Sequence, residues 1–219
     1  VVLKLGGRVA AASASRALEL SRAGHEVVVV HGAGPQITEE LARRGLPVEF
    51  VDGRRVTDAR TLAVVTESLV AVGAEVSAAL GPTAVQLPGD EIGLLAERLP
   101  GLGLVGNPLP CRPPAIEAAL ESGRIPVVAP LAVGPLNVNA DEAAAALAIG
   151  LGADRVLFVT DVPGVLVDGS VAERLEASTA DRLLEDGELE GGIVPKLVAA
   201  VRAARLGVQA EIGTTAVLP

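Results

Sequence analysis

Short apolar runs alternate along this chain with longer Ala-rich segments, and glycine or proline marks most of the changes between them. Runs of that length suit strands, whereas the Ala-rich segments suit helices. Such alternation constrains the fold strongly. A helix after each strand returns the chain to the same end of the sheet, so the pattern predicts an α/β fold with a mostly parallel sheet. Strands are expected at 1–5, 26–30, 83–87, 125–129, 155–160 and 208–212. Helices are expected at 12–23, 35–44, 59–80, 113–122, 140–151, 178–186 and 194–206. The helix at 113–122 opens on Pro113-Pro114, a first-turn signal. Residues 99–110, with Gly101, Gly103, Gly106 and Pro108, read as a hairpin or lid. No repeat, linker or charge block interrupts the sequence, so 1–219 reads as one domain. A division near residue 150 would leave a different ligand on either side of it.

Composition removes several function classes. The 219 residues are half hydrophobic, enough for one sizeable core or for two small lobes sharing a sheet. No run of eighteen apolar residues occurs, so no membrane span is expected. The chain opens on the strand-like Val1-Val2-Leu3-Lys4-Leu5, without a leader pattern. Cys111 is the one cysteine; it reads as a half-buried small apolar residue and fits a cytoplasmic protein. A net charge of −9 disfavours nucleic acid and anionic membranes as partners. It leaves room for a small anion, which a few fixed cations and backbone N–H groups can hold. Phe50 and Phe158 are the only aromatics, so bases find no stacking platform and a purine must pack between aliphatic side chains.

The cations are sixteen Arg and two Lys. The two are not interchangeable where a compact ammonium must meet a phosphoryl oxygen, which draws attention to Lys4 and Lys196. Lys4 ends a strand that runs into Gly6-Gly7, where backbone can approach an anion closely. Lys196 lies in the first turn of a helix behind Gly191-Gly192. A cation there opposes the helix dipole unless an anion is also present. Between them, His31-Gly32-Ala33-Gly34-Pro35-Gln36 forms a glycine-rich turn into a helix, another anion-binding arrangement. It is neither a P-loop nor a complete dinucleotide fingerprint. His31 reads as a structural histidine. Gly53-Arg54-Arg55-Val56-Thr57-Asp58 offers an arginine for two-pronged carboxylate binding, and Thr57 or Asp58 as a helix cap. Asn137-Val138-Asn139-Ala140-Asp141 places three polar side chains at alternate positions, which on extended backbone would point one way. Thr160-Asp161-Val162-Pro163-Gly164-Val165-Leu166 ends the strongest strand, where α/β sheets bind ligands.

Six motifs in this order resemble the amino-acid kinase family, and within it the branch that phosphorylates the γ-carboxylate of N-acetyl-L-glutamate in arginine biosynthesis. The resemblance covers nearly the whole chain. It implies an open, mostly parallel sheet in an α/β/α sandwich, an acceptor-binding lobe over 1–150 and a nucleotide-binding lobe over 151–219. It implies that Lys4 and Lys196 contact the transferring phosphoryl group from opposite sides while Asp141 holds both. Gly7, Gly32, Ala33 and Gly34 would offer N–H groups, Arg55 would pair with the acceptor α-carboxylate, and Asn137 would bond near the α-carbon. ATP would lie against Gly6, Asp161, Val162, Pro163, Gly164, Val165, Leu166, Leu189 and Glu190. Mg²⁺ would ride mainly on phosphates and water, without a dedicated protein site.

Related readings are a kinase for an aminoadipate derivative or another small acceptor, and a non-catalytic nucleotide sensor of the same fold. The chain departs from the family pattern at Ala33, whose methyl replaces a glycine and is expected to tighten the acceptor pocket. It departs also at Val76-Ser77, at Gly89-Asp90-Glu91 and in the shortened segment after Val208. With no extension helix before Val1, the resemblance predicts an arginine-insensitive homodimer.

Overall fold

The computed structural model describes residues 1–6 and 11–219. The chain begins with β1 (Val2–Leu5), α1 (Ala14–Arg22), β2 (Val28–His31) and α2 (Gly34–Arg43). A hairpin of β3 (Phe50–Val51) and β4 (Arg54–Arg55) precedes the longest helix, α3 (Ala59–Leu80). There follow β5 (Ala84–Pro88), α4 (Gly89–Ile92), β6 (Ala96–Arg98), β7 (Val105–Pro108) and α5 (Pro114–Glu121). Next come β8 (Ile125–Ala129), β9 (Leu131–Ala132), β10 (Leu136–Val138) and α6 (Ala140–Leu151). The last third holds β11 (Arg155–Val159), β12 (Leu166–Val167), β13 (Ser170–Val171), β14 (Arg174–Glu176), α7 (Ala177–Glu185), α8 (Ile193–Arg205), β15 (Gln209–Ile212) and β16 (Thr215–Leu218).

Eight strands form the main sheet in the order β14-β16-β15-β11-β1-β2-β8-β5. From β5 across to β15 every pairing is parallel; β16 then runs antiparallel to β15. The chain winds outward from β1 through β2, then returns to place β11 on the other side of β1. That reversal opens a crevice at the carboxyl ends of β1 and β11, the usual ligand position in such sheets.

The alternating side-chain directions of a strand build one core on each face of this sheet. Val2, Val28, Val30, Val156 and Phe158 face α5, α6, α7 and α8. Leu3, Leu5, Val27, Val29 and Leu157 face α1, α2 and α3. Lys4 shares the face of Val2, so its stem runs among apolar neighbours and its ammonium reaches a carboxylate, Asp141, at the first turn of α6. Ala143 to Ala148 of α6 are fully enclosed, and α8 turns Ala199, Ala200, Ala203 and Ala204 inward. Small side chains let these two helices lie close together over the sheet, which sets their first turns side by side.

All six predicted strands occur, and all lie in the main sheet. β14 and β16, and the second sheet, ordered β6-β7-β10-β9, leave no clear pattern in the sequence. These strands are short and carry polar, Gly or Pro residues, as in Val105-Gly106-Asn107-Pro108, so period-two alternation is too brief to register. Residues 99–104 do form the turn of the β6–β7 hairpin, as 99–110 implied. Among the described residues one helix, α3, has the length and apolarity of a membrane span. Ten of its residues are nevertheless buried against the protein itself. Cys111 is free and half-buried.

His31 continues β2 on the α3 side, opposite the lysines. It is fully buried, and among the described residues neither ring nitrogen has a hydrogen-bond partner. Gly73 makes room for it: a Cβ there would stand 3.0 Å from His31 Nε2 and 2.6 Å from Gln86 Nε2. Burial lowers the His31 pKa from 6.5 to about 4, against a smaller opposing effect of the Gly32 backbone. The folded protein therefore keeps His31 neutral where the unfolded chain takes up a proton. Stability attributable to His31 falls as pH drops from about 6.5 to about 4, by at most ~3 kcal/mol. Urea titrations of wild type and His31→Asn should diverge in that window, and parallel pH profiles would refute the assignment. Gly150 poses a different constraint, since a Cβ there would lie 2.1 Å from the Cys111 carbonyl oxygen. Gly150→Ala should cost about 1–3 kcal/mol in urea unfolding by overpacking the end of α6.

Candidate functional site

A cavity of about 400 Å³ opens at the carboxyl ends of β1 and β2. Three helices begin at its wall: α2 at Gly34, α6 at Ala140 and α8 just after Gly192. Unpaired N–H groups and the positive ends of the helix dipoles make each start favourable to an anion. α2 leaves the carboxyl end of β2 directly, whereas α6 follows β10 of the second sheet and α8 follows α7, so three differently connected helices begin at one cavity.

Asp141 stands in the first turn of α6, whose cap is Asn139; the Asn139 side chain accepts from the Asp141 and Glu142 N–H groups at 2.8 and 3.2 Å. Asp141 Oδ1 lies 3.0 Å from Lys4 Nζ, and Oδ2 lies 3.7 Å from Lys196 Nζ. Lys4 and Asp141 are each only 5% exposed, so little water reaches their charges. Lys196 also donates to the Gly192 carbonyl at 3.1 Å. Burial lowers the pKa of Lys196 below its ordinary value, with Asp141 opposing and Lys4 reinforcing the fall. Two ammonium groups and one carboxylate leave a net positive charge facing the cavity.

Arg55 comes from β4 and is 6% exposed. Its Nη2 donates to Thr38 Oγ1 at 2.7 Å and to the Gly34 carbonyl at 3.2 Å, and the guanidinium covers the Phe50 ring at 4.5 Å. Nη1 is buried and has no hydrogen-bond partner among the described residues, so part of this cavity-lining guanidinium's donor capacity is unused. Burial lowers the Arg55 pKa, yet a guanidinium remains charged at neutral pH. Asn137 Nδ2 donates to Thr57 Oγ1 at 3.1 Å, and Thr57 Oγ1 donates to the Arg55 carbonyl at 2.7 Å. Asp58 caps α3 through the Thr61 N–H at 2.7 Å.

The structure thus gathers Lys4, Gly6, Gly32, Ala33, Gly34, Arg55, Asn137, Asp141 and Lys196 around one cavity. Gly7 lies outside the described residues. Three details differ from what the sequence implied. Gly32 donates its N–H to the Leu5 carbonyl at 2.9 Å and completes the sheet ladder, so Ala33 and Gly34 hold the turn's remaining N–H groups. Ala33 is 2% exposed, with its methyl in the α1–α3 core and φ at −139°, so it costs no left-handed strain. Asn137, Asn139 and Asp141 reach the same cavity, but across a strand, a cap and a helix rather than along one extended segment.

The segment 161–166 lies beyond this cavity, at the end of β11. Thr214 donates its N–H and hydroxyl to the Pro163 carbonyl at 2.8 and 2.9 Å, and the Val165 N–H donates to Thr215 Oγ1 at 2.9 Å. A Cβ on Gly164 would lie 2.5 Å from Thr215 Oγ1, so glycine is required for that approach. Val165 is buried, Asp161, Val162, Pro163 and Leu166 are exposed, Leu189 is half-buried and Glu190 is exposed. The clamp by Thr214 and Thr215 was not foreseen in the sequence, because it joins segments 50 residues apart. Arg54 and Glu142 were also missed; they form an ion pair at 2.6 Å beside the cavity.

Residues 1–213 match the profile of the amino acid kinase family. The acetylglutamate kinase of Rubrobacter xylanophilus is 41% identical, with 97% of this chain and 87% of that protein covered. The acetylglutamate kinase of Geobacillus kaustophilus is 40% identical over 93% of this chain and 84% of its own length. Among solved structures, smu.665 of Streptococcus mutans superposes with a TM-score of 0.91 at 30% identity, covering 99% of this chain and 97% of the other. With its central parallel sheet and its paired lysines on one aspartate, the chain belongs to the amino acid kinase family.

Proposed function

We propose that this protein transfers the γ-phosphoryl group of ATP to the γ-carboxylate of N-acetyl-L-glutamate, yielding the acyl phosphate and ADP. The observation that carries this reading is Asp141 gripping Lys4 and Lys196 with separate oxygens at the mouth of a cavity that also holds Arg55. Relatives named acetylglutamate kinase, aligned over most of both chains, support the choice of acceptor.

Phosphoryl transfer demands positioning and charge neutralisation more than covalent assistance. The attacking γ-carboxylate is ionised at neutral pH, so the protein needs no general base. Lys4 serves the acceptor side of the phosphoryl group and Lys196 the nucleotide side. Asp141 keeps the two ammoniums from repelling each other apart before the anion arrives. Arg55 Nη1 pairs with the acceptor α-carboxylate, Asn137 orients the atoms around the α-carbon, and the N–H groups at the start of α2 receive phosphoryl oxygens. Gly32 precedes this turn, with its own N–H held by the Leu5 carbonyl. The nucleotide lies over 151–219, against Gly6, Asp161 to Leu166, Leu189 and Glu190, with residues 1–150 holding the acceptor. Mg²⁺ would enter with the nucleotide, held mainly through the phosphates rather than by a dedicated set of protein ligands, and would supply further charge neutralisation. Among the described residues no three His, Cys, Asp or Glu side chains cluster as a metal site, and Asp141 is engaged by lysines.

The direct test is ATP turnover with N-acetyl-L-glutamate, trapping the acyl phosphate with hydroxylamine, in parallel with aminoadipate derivatives and UMP. Product from N-acetyl-L-glutamate alone supports the proposal; turnover of another acceptor only would overturn it. Lys4→Ala and Lys196→Ala should each lower kcat by about 10²–10³-fold, as expected for losing a charge aimed at the transition state. Because burial lowers the Lys196 pKa, the alkaline limb of kcat/KM should fall below 10.5. Lys196→Arg should shift that limb upward whatever its residual rate. A homodimer accompanies this reading, and a monomeric mass in light scattering would sink that component of it.

A further inference from the structure

The β3–β4 hairpin belongs to neither large sheet. It has two paired positions, and Phe50 and Val51 are exposed at 53% and 41%. A two-stranded ribbon with so little core is marginal on its own. Its turn, Asp52-Gly53, has φ of 49° and 73°, the positive pair of a tight hairpin turn. The turn itself is therefore well made, but something else must decide where the ribbon sits. Arg55 reaches α2, as described. Gly53 sits over α8, where its missing Cβ would lie 4.0 Å from Pro195, the residue before Lys196.

The strongest attachment is Arg54. Adjacent residues on a strand point to opposite faces, so Arg54 cannot reach the partners of Arg55. It turns instead toward α6, where Nη2 lies 2.6 Å from Glu142 Oε1 and Nε lies 3.4 Å from Oε2. The side chains are 25% and 9% exposed, so this is a two-pronged, largely water-protected pair rather than a surface contact. Glu142 follows Asp141 directly and shares its Asn139 cap. The ribbon that carries Arg55 is thus fastened to the same helical turn that carries Asp141.

We propose that Arg54 and Glu142 are positioning residues: their ion pair fixes the β3–β4 ribbon across the cavity so that Arg55 meets the acceptor carboxylate in register with the two lysines. The pair has a second effect on selectivity. Glu142 occupies Arg54, so the ribbon offers the acceptor one free guanidinium edge, suited to a single α-carboxylate. This inference rests on the acceptor role proposed for Arg55.

Arg54→Gln and Glu142→Gln should each raise KM for N-acetyl-L-glutamate about tenfold, while KM for ATP and kcat change less than about threefold. The double charge reversal, Arg54→Glu with Glu142→Arg, should recover most of the lost affinity, which a purely structural defect would not. Unchanged acceptor KM in both single variants would overturn the proposal, as would equal losses in kcat. Hydrogen exchange gives a reading that needs no acceptor: amides of residues 50–56 should exchange faster in Arg54→Gln, with the urea midpoint unchanged. If wild type does not phosphorylate N-acetyl-L-glutamate yet exchange rises as stated, the acceptor reading fails and the fastening stands. If wild type is active and exchange stays the same, the fastening fails.

Discussion

One carboxylate between two ammonium groups is the interaction on which this site depends. Two lysine charges a few ångströms apart repel by several kcal/mol in a partly buried setting, at the effective dielectric of ~20 that suits protein sites. Asp141 converts that repulsion into two attractions, one on each oxygen. It can do so because it occupies the first turn of α6, where an acidic residue also suits the helix dipole. Lys196 has the opposite relation to its own helix and depends on the same carboxylate. The residual charge is positive, so an anion completes the arrangement.

Much of the fold serves that placement. Lys4 must extend from the central strand toward α6, and the alternation Val2-Leu3-Lys4-Leu5 puts it there with Leu3 and Leu5 anchoring the opposite core. α6 and α8 must start side by side, and their alanines allow the approach. Gly150 lets the end of α6 pass the Cys111 backbone. Each choice looks like generic apolar packing when taken singly. Together they fix the separation of charges contributed by residues 4, 141 and 196.

Sequence periodicity was enough to locate the six parallel strands and the main helices, because each is long enough for its own pattern to repeat. The rarity of lysine and the glycines around Lys4 and Lys196 made those positions legible too. What escaped was contact between distant short pieces. Nothing local in Arg54-Arg55 tells that one arginine reaches Thr38 and the other Glu142; the strand direction at β4 decides it. The loss of the Gly32 N–H to the Leu5 carbonyl is a consequence of β1–β2 register, which a glycine-rich turn does not reveal. A usable signal was nonetheless present. Asp52-Gly53 and Asp168-Gly169 are both Asp-Gly pairs with positive φ at each residue, and both turn two-residue strands into hairpins near the ligand side.

The charge distribution reconciles an acidic chain with anionic ligands. On the outside, arginines are engaged locally: Arg43 and Arg44 with Glu40, Arg112 with Glu117, Arg205 with Asp181. Exposed pairs of this kind add little stability, but they cancel fields near the surface. At the cavity the balance is different. Among the described residues, Lys4, Lys196 and Arg55 line the cavity with one carboxylate, Asp141, which both lysines share, while Glu142 is taken by Arg54. Among the described residues the excess is one positive charge at the lysine pair and one at Arg55, all lining the same cavity. An acceptor carrying two carboxylates can set its α-carboxylate on Arg55 while the other meets the phosphoryl group under the lysines. On the proposed roles, selectivity would follow from the spacing of charges as much as from shape, with Glu142 keeping Arg54 from adding a further free positive centre.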